Sequence, residues 1–150
     1  MRAVVQRVSK STLRIKGRTF SHIDKGLLIL LGIEDQDEIN DVNWLAKKIS
    51  NLRVFSDNNG VMNLSINDIY GDLMVVSQFT LHAKTKKGNR PSYINAASPE
   101  IARPLYDSFI QLASSLINGE VKTGKFGKDM QIDLVNDGPV TIIMDTKNRE

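Results

Sequence analysis

The first part of the chain alternates short apolar groups with polar segments. Its apolar residues fall into three groups, which Ser9-Lys10-Ser11 and Lys16-Gly17-Arg18 separate. Short polar separators between apolar groups are typical of strands joined by tight turns, so we expect an N-terminal β meander. The run Leu27–Ile33 that follows is almost continuously apolar and short enough for a strand covered on both faces. It predicts a central strand of the sheet.

Two later segments carry apolar residues at helical spacing. The first begins at Asp37, has acidic residues early and lysines late, as the helix dipole favours, and is predicted to run to about Leu52. The second has Ser98 as its N-cap and Pro99 at the first helical position, and it ends at Asn118-Gly119. The sequence therefore predicts two main helices.

The remaining segments predict further strands and a hairpin turn, at Val54-Phe55, Asp57–Gly60, Asp72–Leu81, Met130–Val135 and Val140–Met144. Strands first, followed by strands mixed with helices, indicate an α+β fold with a mixed or largely antiparallel sheet. We expect residues 1–150 to form a single domain.

Composition supports a compact globular protein. The 150 residues are 41% hydrophobic and 25% charged, and none of them is cysteine. Without cysteine, disulfide scaffolds, thiolate zinc sites and cysteine nucleophiles are excluded. Charged residues near the start argue against a signal peptide, and the longest apolar run is far below the roughly 20 residues that span a bilayer. We therefore expect a cytoplasmic protein with no membrane role.

Positive charge is concentrated in one segment. The net charge is +3, and four of the seven residues in Lys84–Arg90 are cationic, with Gly88 favouring a loop. Such a cluster is typical of a surface that contacts phosphates. It is also consistent with a solvated loop that binds nothing, because charge runs usually face water.

The chain lacks the usual catalytic side chains. Its two histidines, His22 and His82, have no metal-ligand spacing, and there is no P-loop or dinucleotide-binding motif, so we expect neither a metal nor a cofactor. Thr80 and His82 would share one face of a strand, but the pattern favours a threonine bonded to backbone over a catalytic dyad. Such an enzyme would act on an activated ester or thioester and would depend on positioning it. Positioning alone lowers the reaction barrier by about 7 to 11 kcal/mol at best.

Two motifs point to a more specific function. Ser77-Gln78-Phe79-Thr80-Leu81 follows an apolar run, and Asn136-Asp137-Gly138-Pro139-Val140-Thr141 presents bare backbone that could recognise a ligand by shape. Together they resemble the two signature motifs of the D-aminoacyl-tRNA deacylase family. The resemblance covers the whole chain and includes Met1–Val8, Lys25–Leu28, Met62–Ser65, Lys86–Ser92 and Gly124–Met130.

The resemblance implies a barrel-like core with two main helices and a homodimer whose active sites lie at the subunit interface. It also implies hydrolysis of the ester that joins a D-amino acid to the terminal adenosine of tRNA, with no cofactor. The partners would be tRNA charged with D-amino acids or glycine, because glycine has no Cβ by which a site could reject it.

The family's site residues carry over to this chain by position. Gly138-Pro139 would be a cis dipeptide that enters the partner subunit's pocket and leaves no room for an L side chain, and Arg7 would brace it. Phe126 and Met130 would hold the adenine. The catalytic wall opposite would consist of Ser77, Gln78, Phe79 and Thr80.

Two versions of the mechanism remain open from the sequence. Thr80 could attack the ester as a covalent nucleophile, or the vicinal 2′-hydroxyl of the terminal ribose could assist while Thr80 shapes the pocket. The second version is favoured because Thr80 has no evident base.

Two functions of other classes also fit part of the sequence. One is a tRNA- or RNA-binding module without catalysis, which would use Lys84–Arg90 for phosphates and Phe126 for stacking. The other is a homodimeric hydrolase of small metabolic esters, whose activity would not depend on RNA. Both account for fewer residues than the deacylase does.

Overall fold

The computed structural model describes residues 1–150. It contains eight strands, two α-helices and a short 3₁₀ helix over Phe79–His82. The strands are β1 (Arg2–Ile15), β2 (Arg18–Ile23), β3 (Gly26–Gly32), β4 (Phe55–Ser56), β5 (Met62–Leu64), β6 (Asp72–Ser77), β7 (Val121–Thr123) and β8 (Gln131–Asp145), and the helices are α1 (Ile39–Ser50) and α2 (Pro99–Leu116).

Six strands form one mixed sheet in the order β2-β1-β3-β6-β7, with β8 paired to β1. The β3–β6 and β6–β7 pairs are parallel and the others are antiparallel. The sheet curls into a nearly closed barrel, which confirms the predicted α+β class and barrel-like core. Strands β4 and β5 form a separate hairpin beside it.

The predicted N-terminal meander is wrong at Ser9-Lys10-Ser11, where β1 continues without a turn. The first half of β1 pairs with β3 and the second half with β2, while β8 runs along its opposite edge. Bulges at the change of partner bend the strand, and Ser11 is buried where its hydroxyl meets the sulfur of Met74 at 3.6 Å. Polar residues therefore mark a bend within one strand. The turn at Lys16-Gly17 is present.

The predicted central strand is confirmed as β3, which is buried on both faces. Leu27, Ile29 and Leu31 belong to the main core, which the two helices cover, and Leu28 belongs to a smaller cluster on the other face of the sheet. A strand covered on both sides has no solvent-facing positions, which explains its continuous apolar run.

Both predicted helices are confirmed. Helix α1 is preceded by a capping box between Glu38 and Asp41, and α2 has Pro99 at its first position. Ser98 occupies the N-cap position but its side chain makes no capping bond; its carbonyl oxygen instead accepts the first intrahelical bonds. Neither helix combines the length and the apolar character that crossing a membrane requires.

Two further strand predictions are corrected. The strand predicted over Asp72–Leu81 ends at Ser77, because its partner β3 ends there, and the chain turns into the 3₁₀ helix. The two predicted final strands are one strand, β8, interrupted by a bulge. Four residues, 137–140, stand opposite the single residue Arg7 of β1, since Val8 pairs with Asn136 and Gln6 with Thr141. The end of β6 lies in the motif Ser77–Leu81, and the bulge of β8 lies in the motif Asn136–Thr141.

Candidate active site

A cavity of about 740 Å³ opens at the end of β6, between the 3₁₀ helix and the loop that follows β7. This volume is within the range of about 300 to 1,000 Å³ that is usual for small-molecule sites. Most of its lining is apolar. Among the predicted site residues, Ser77, Gln78, Phe79, Phe126 and Met130 line it.

We call Ser77–Thr80 the wall of the cavity. The backbone N–H of Gln78 donates to the carbonyl of Leu31 at 2.7 Å, which is the last bond that ties the wall to β3. The Gln78 side-chain amide then donates to the hydroxyl of Thr80 at 2.5 Å. Thr80 does not line the cavity itself, whereas Phe79 is 56% exposed and projects at its edge.

The expectation that Thr80 and His82 share one face of a strand is wrong. Both residues lie in the 3₁₀ helix, where side chains two apart do not share a face as they do on a strand. His82 is buried, with its Nδ1 3.9 Å from a Glu34 carboxylate oxygen and its Nε2 without a hydrogen-bond partner. The Thr80 hydroxyl oxygen accepts a hydrogen bond from the Gln78 amide, and no basic side chain accepts the hydroxyl proton.

Phe126 and Met130 lie in the segment between β7 and β8 and also line the cavity. The Phe126 ring packs against Tyr106 at 5.6 Å between centroids, and the Tyr106 hydroxyl donates to the carbonyl of Val75 at 2.7 Å. Burial, with a smaller contribution from Asp107, raises the pKa of Tyr106, so its hydroxyl stays protonated as a donor. Gly124 leaves space for Met130, because a Cβ at Gly124 would lie 2.6 Å from the Met130 sulfur. These contacts fix the positions of two apolar side chains in the lining of the cavity.

We call Gly138-Pro139 the corner. Its peptide bond is cis, and Gly138 has φ of +122°, a conformation that side chains disfavour. A Cβ on Gly138 would lie 2.8 Å from an Arg7 guanidinium nitrogen. Both residues of the corner are exposed.

Arg7 fixes the base of the corner from the opposite strand. Its Nε donates to the carbonyl of Asp137 at 3.0 Å and lies 3.3 Å from a carboxylate oxygen of that residue. Its Nη1 donates to the carbonyl of Val54 at 2.6 Å. Arg7 is 8% exposed, so these bonds are shielded from water. They link β1, the bulge of β8 and the segment after α1.

The wall and the corner do not meet within one chain. Neither Gly138 nor Pro139 lines the cavity beside the wall. The cavity of one chain is therefore lined without the corner.

Tyr93 and Lys128 are among the residues that line the cavity but were not predicted as site residues. Tyr93 packs edge to face against Phe79, with centroids 5.1 Å apart. The only sequence signal for Tyr93 was its position just after the cationic segment Lys84–Arg90, which is an exposed loop in the structure. The carbonyl of Val54 was also missed, because any residue type carries one.

One family and two relatives that this chain matches are described as deacylases of aminoacyl-tRNA. The family described as D-Tyr-tRNA(Tyr) deacylase matches residues 4–145. A D-aminoacyl-tRNA deacylase of Bacteroides fragilis (strain YCH46) is 59% identical, and one of Flavobacterium psychrophilum is 58% identical, each over 100% of both chains.

Two solved structures are also similar. One, titled c-Myc DNA Unwinding Element Binding Protein, has a TM-score of 0.91 and 39% identity over 97% of this chain and 98% of that one. The other, titled a probable eukaryotic D-amino acid tRNA deacylase, has a TM-score of 0.81 over 95% and 97%. At 16% identity, the second shares the fold.

Proposed function

The chain belongs to the D-Tyr-tRNA(Tyr) deacylase family, and we propose that it hydrolyses the ester between a D-amino acid and the terminal adenosine of tRNA. The whole of residues 1–150 forms one deacylase domain. The wall and the corner of two subunits build each site, Phe126 and Met130 hold the adenine, and no metal takes part.

The observation that carries this proposal is the separation of the wall from the corner in a single chain. The corner is exposed, fixed by Arg7, and absent from its own cavity. A homodimer would bring the corner of one subunit to the wall of the other. Strand β8 supports this arrangement, because it pairs only with β1 and so has a free edge.

The same strand also offers an apolar contact surface. Leu134, Val135 and Ile143 on β8 are 38%, 45% and 75% exposed. Long exposed edge strands with apolar residues favour pairing with another chain. In the homodimer these residues lie at the interface, next to the corner that they flank in sequence.

Rejection of L substrates follows from backbone geometry. D and L substrates carry the same atoms and differ only in the direction of Cβ, so discrimination requires an obstacle that does not move. Carbonyl groups of a braced corner are more rigid than a side chain with free torsions. They hold the amino group of the substrate and overlap with an L side chain. Glycine has no Cβ and passes this filter.

The chemical step uses the substrate's own ribose. The Thr80 hydroxyl accepts a hydrogen bond from Gln78 and has no basic side chain to take its proton, and His82 is buried. With no activated side chain at the wall, the vicinal 2′-hydroxyl assists the attack of water on the ester carbonyl. The bond to the ribose 3′-oxygen breaks, that oxygen takes up a proton, and the amino acid leaves as its carboxylate. The enzyme contributes orientation.

Deacylation of D-tyrosyl-, L-tyrosyl- and glycyl-tRNA by the purified protein tests the function. We expect hydrolysis of the D-tyrosyl ester, measurable hydrolysis of the glycyl ester and no hydrolysis of the L-tyrosyl ester above the spontaneous rate. Binding of charged tRNA without release of amino acid would instead identify a binding module. Hydrolysis of L and D esters at equal rates would refute the chiral filter.

Replacing Thr80 by alanine separates the two mechanisms. We expect Thr80→Ala to retain kcat within about tenfold of the native value, because the hydroxyl only shapes the wall. The matched variant Thr80→Ser should behave in the same way. A loss of about 10⁴-fold in Thr80→Ala that serine restores, with folding and tRNA binding unchanged, would establish a covalent nucleophile. A substrate with a terminal 2′-deoxyribose should lose most of its reactivity with the native enzyme.

A further inference from the structure

An exposed aromatic pair lies at the mouth of the cavity, which is also lined by the apolar side chains proposed to hold adenine. Phe79 and Tyr93 lie edge to face, with centroids 5.1 Å apart and ring planes at 74°. They are 56% and 40% exposed. In an edge-to-face pair, the ring that contributes its edge keeps both of its faces free of its partner. The mouth therefore offers a flat aromatic surface that the protein leaves open.

The cationic loop Lys84–Arg90 begins and ends beside this pair. Lys84 and Ser92 exchange two backbone hydrogen bonds, at 2.8 and 3.0 Å, which close the loop one residue before Tyr93. Its four cations are exposed and take part in no ion pair. Lys128, which also lines the cavity, is exposed and takes part in no ion pair. These five cations outnumber the single acidic residue that lines the cavity, Asp129.

This combination has the chemistry of a site for single-stranded nucleic acid. Aromatic faces stack on bases of any sequence, and nearby lysines and arginines follow the phosphates. The adenosine that carries the ester is already assigned to Phe126 and Met130. The next base along the RNA strand therefore matches the second aromatic surface.

We propose that Tyr93, supported by Phe79, stacks on the base of the nucleotide that precedes the terminal adenosine of tRNA, while the loop Lys84–Arg90 contacts the phosphates beyond it. This inference rests on the proposed function, because it assumes that the terminal adenosine lies against Phe126 and Met130. The enzyme then holds the single-stranded end of the tRNA at two successive bases, which fixes the ester against the wall.

Substrates of different length test this assignment. The D-tyrosyl ester of adenosine alone lacks the preceding base, whereas D-tyrosyl-tRNA carries it, and a tRNA with an abasic preceding nucleotide removes only the base. We expect Tyr93→Ala to lower kcat/KM for the tRNA by about 5- to 150-fold more than for the adenosine ester, which corresponds to the usual contribution of one stacked base. On the abasic tRNA this additional loss should disappear.

The matched variant Tyr93→Phe keeps the ring and should keep the native preference for tRNA over the adenosine ester. Equal losses for Tyr93→Ala on all three substrates would overturn the inference and assign Tyr93 to the aminoacyl pocket. An additional loss that persists on the abasic tRNA would also overturn it. If the native protein hydrolyses no D-tyrosyl ester, the proposed function itself is refuted. If only the stacking assignment fails, the native protein remains active, so the two failures are distinguishable.

Discussion

Replacing Gly138 by alanine is expected to lower kcat/KM for D-aminoacyl-tRNA by about 100-fold or more. The new Cβ would lie 2.8 Å from an Arg7 nitrogen and 2.9 Å from a Val140 methyl carbon, at a φ of +122°. Such contacts displace either the corner or the Arg7 side chain that braces it. Since displacement of a positioning group by about 1 Å can cost 100-fold, deacylation kinetics provide the measurement.

Gly60→Ala is the matched control for this substitution. Gly60 also has a positive φ, of +79°, but a Cβ there would have no atom within 4 Å, and Gly60 does not line the cavity. It should lower stability by about 1 kcal/mol through backbone strain and leave the kinetics unchanged. Native kinetics in Gly138→Ala, at equal fold stability, would show that the position of the corner does not matter.

Replacing Arg7 by alanine is expected to lower the free energy of unfolding by about 2 to 4 kcal/mol, as well as the activity. The substitution leaves the carbonyl of Val54 without its partner in a buried site and frees the carbonyl of Asp137. The exposed carboxylate of Asp137, at 44%, adds little. For a chain of this size the melting temperature should fall by about 5 to 15 °C.

Arg14→Ala is the control for Arg7→Ala, because Arg14 also lies on β1 and pairs with a carboxylate on β8. The pair of Arg14 with Asp133, at 2.9 Å, is 41% and 68% exposed. Its loss should cost at most about 1 kcal/mol. Melting is compared at one protomer concentration, since a dimer melts in a concentration-dependent way. Equal shifts for the two variants would contradict the role assigned to Arg7.

The sequence predicted elements whose signal is local. The continuous apolar run of β3 and the proline at the start of α2 each identify one element without reference to the rest of the chain. The errors arose where distant strands decide the outcome. Ser9-Lys10-Ser11 continues a strand because β8 pairs along its whole edge, and β6 ends at Ser77 because β3 provides no further partner.

The candidate site also contains some residues that the sequence predicted and others that only the structure revealed. Ser77, Gln78, Phe79, Phe126 and Met130 were assigned by motif, and the structure places all of them at one cavity. Tyr93 belongs to no recognised motif, and Lys128, although within the resembling segment Gly124–Met130, was given no role; the structure places both at the cavity. The contact of Arg7 with the carbonyl of Val54 could not be predicted either, because every residue has a backbone carbonyl and the residue type does not indicate which one is bonded.

The most direct test of the shared site combines two defective subunits. One carries Gly138→Ala, which damages the corner, and the other carries Gln78→Ala with Phe79→Ala, which damage the wall. In a mixed dimer, the intact wall of the first subunit meets the intact corner of the second, so one site is complete. Random reassociation of equal amounts should restore about a quarter of the native deacylase activity. If mixing restores nothing although mixed dimers form, the corner acts within its own chain and the account is wrong.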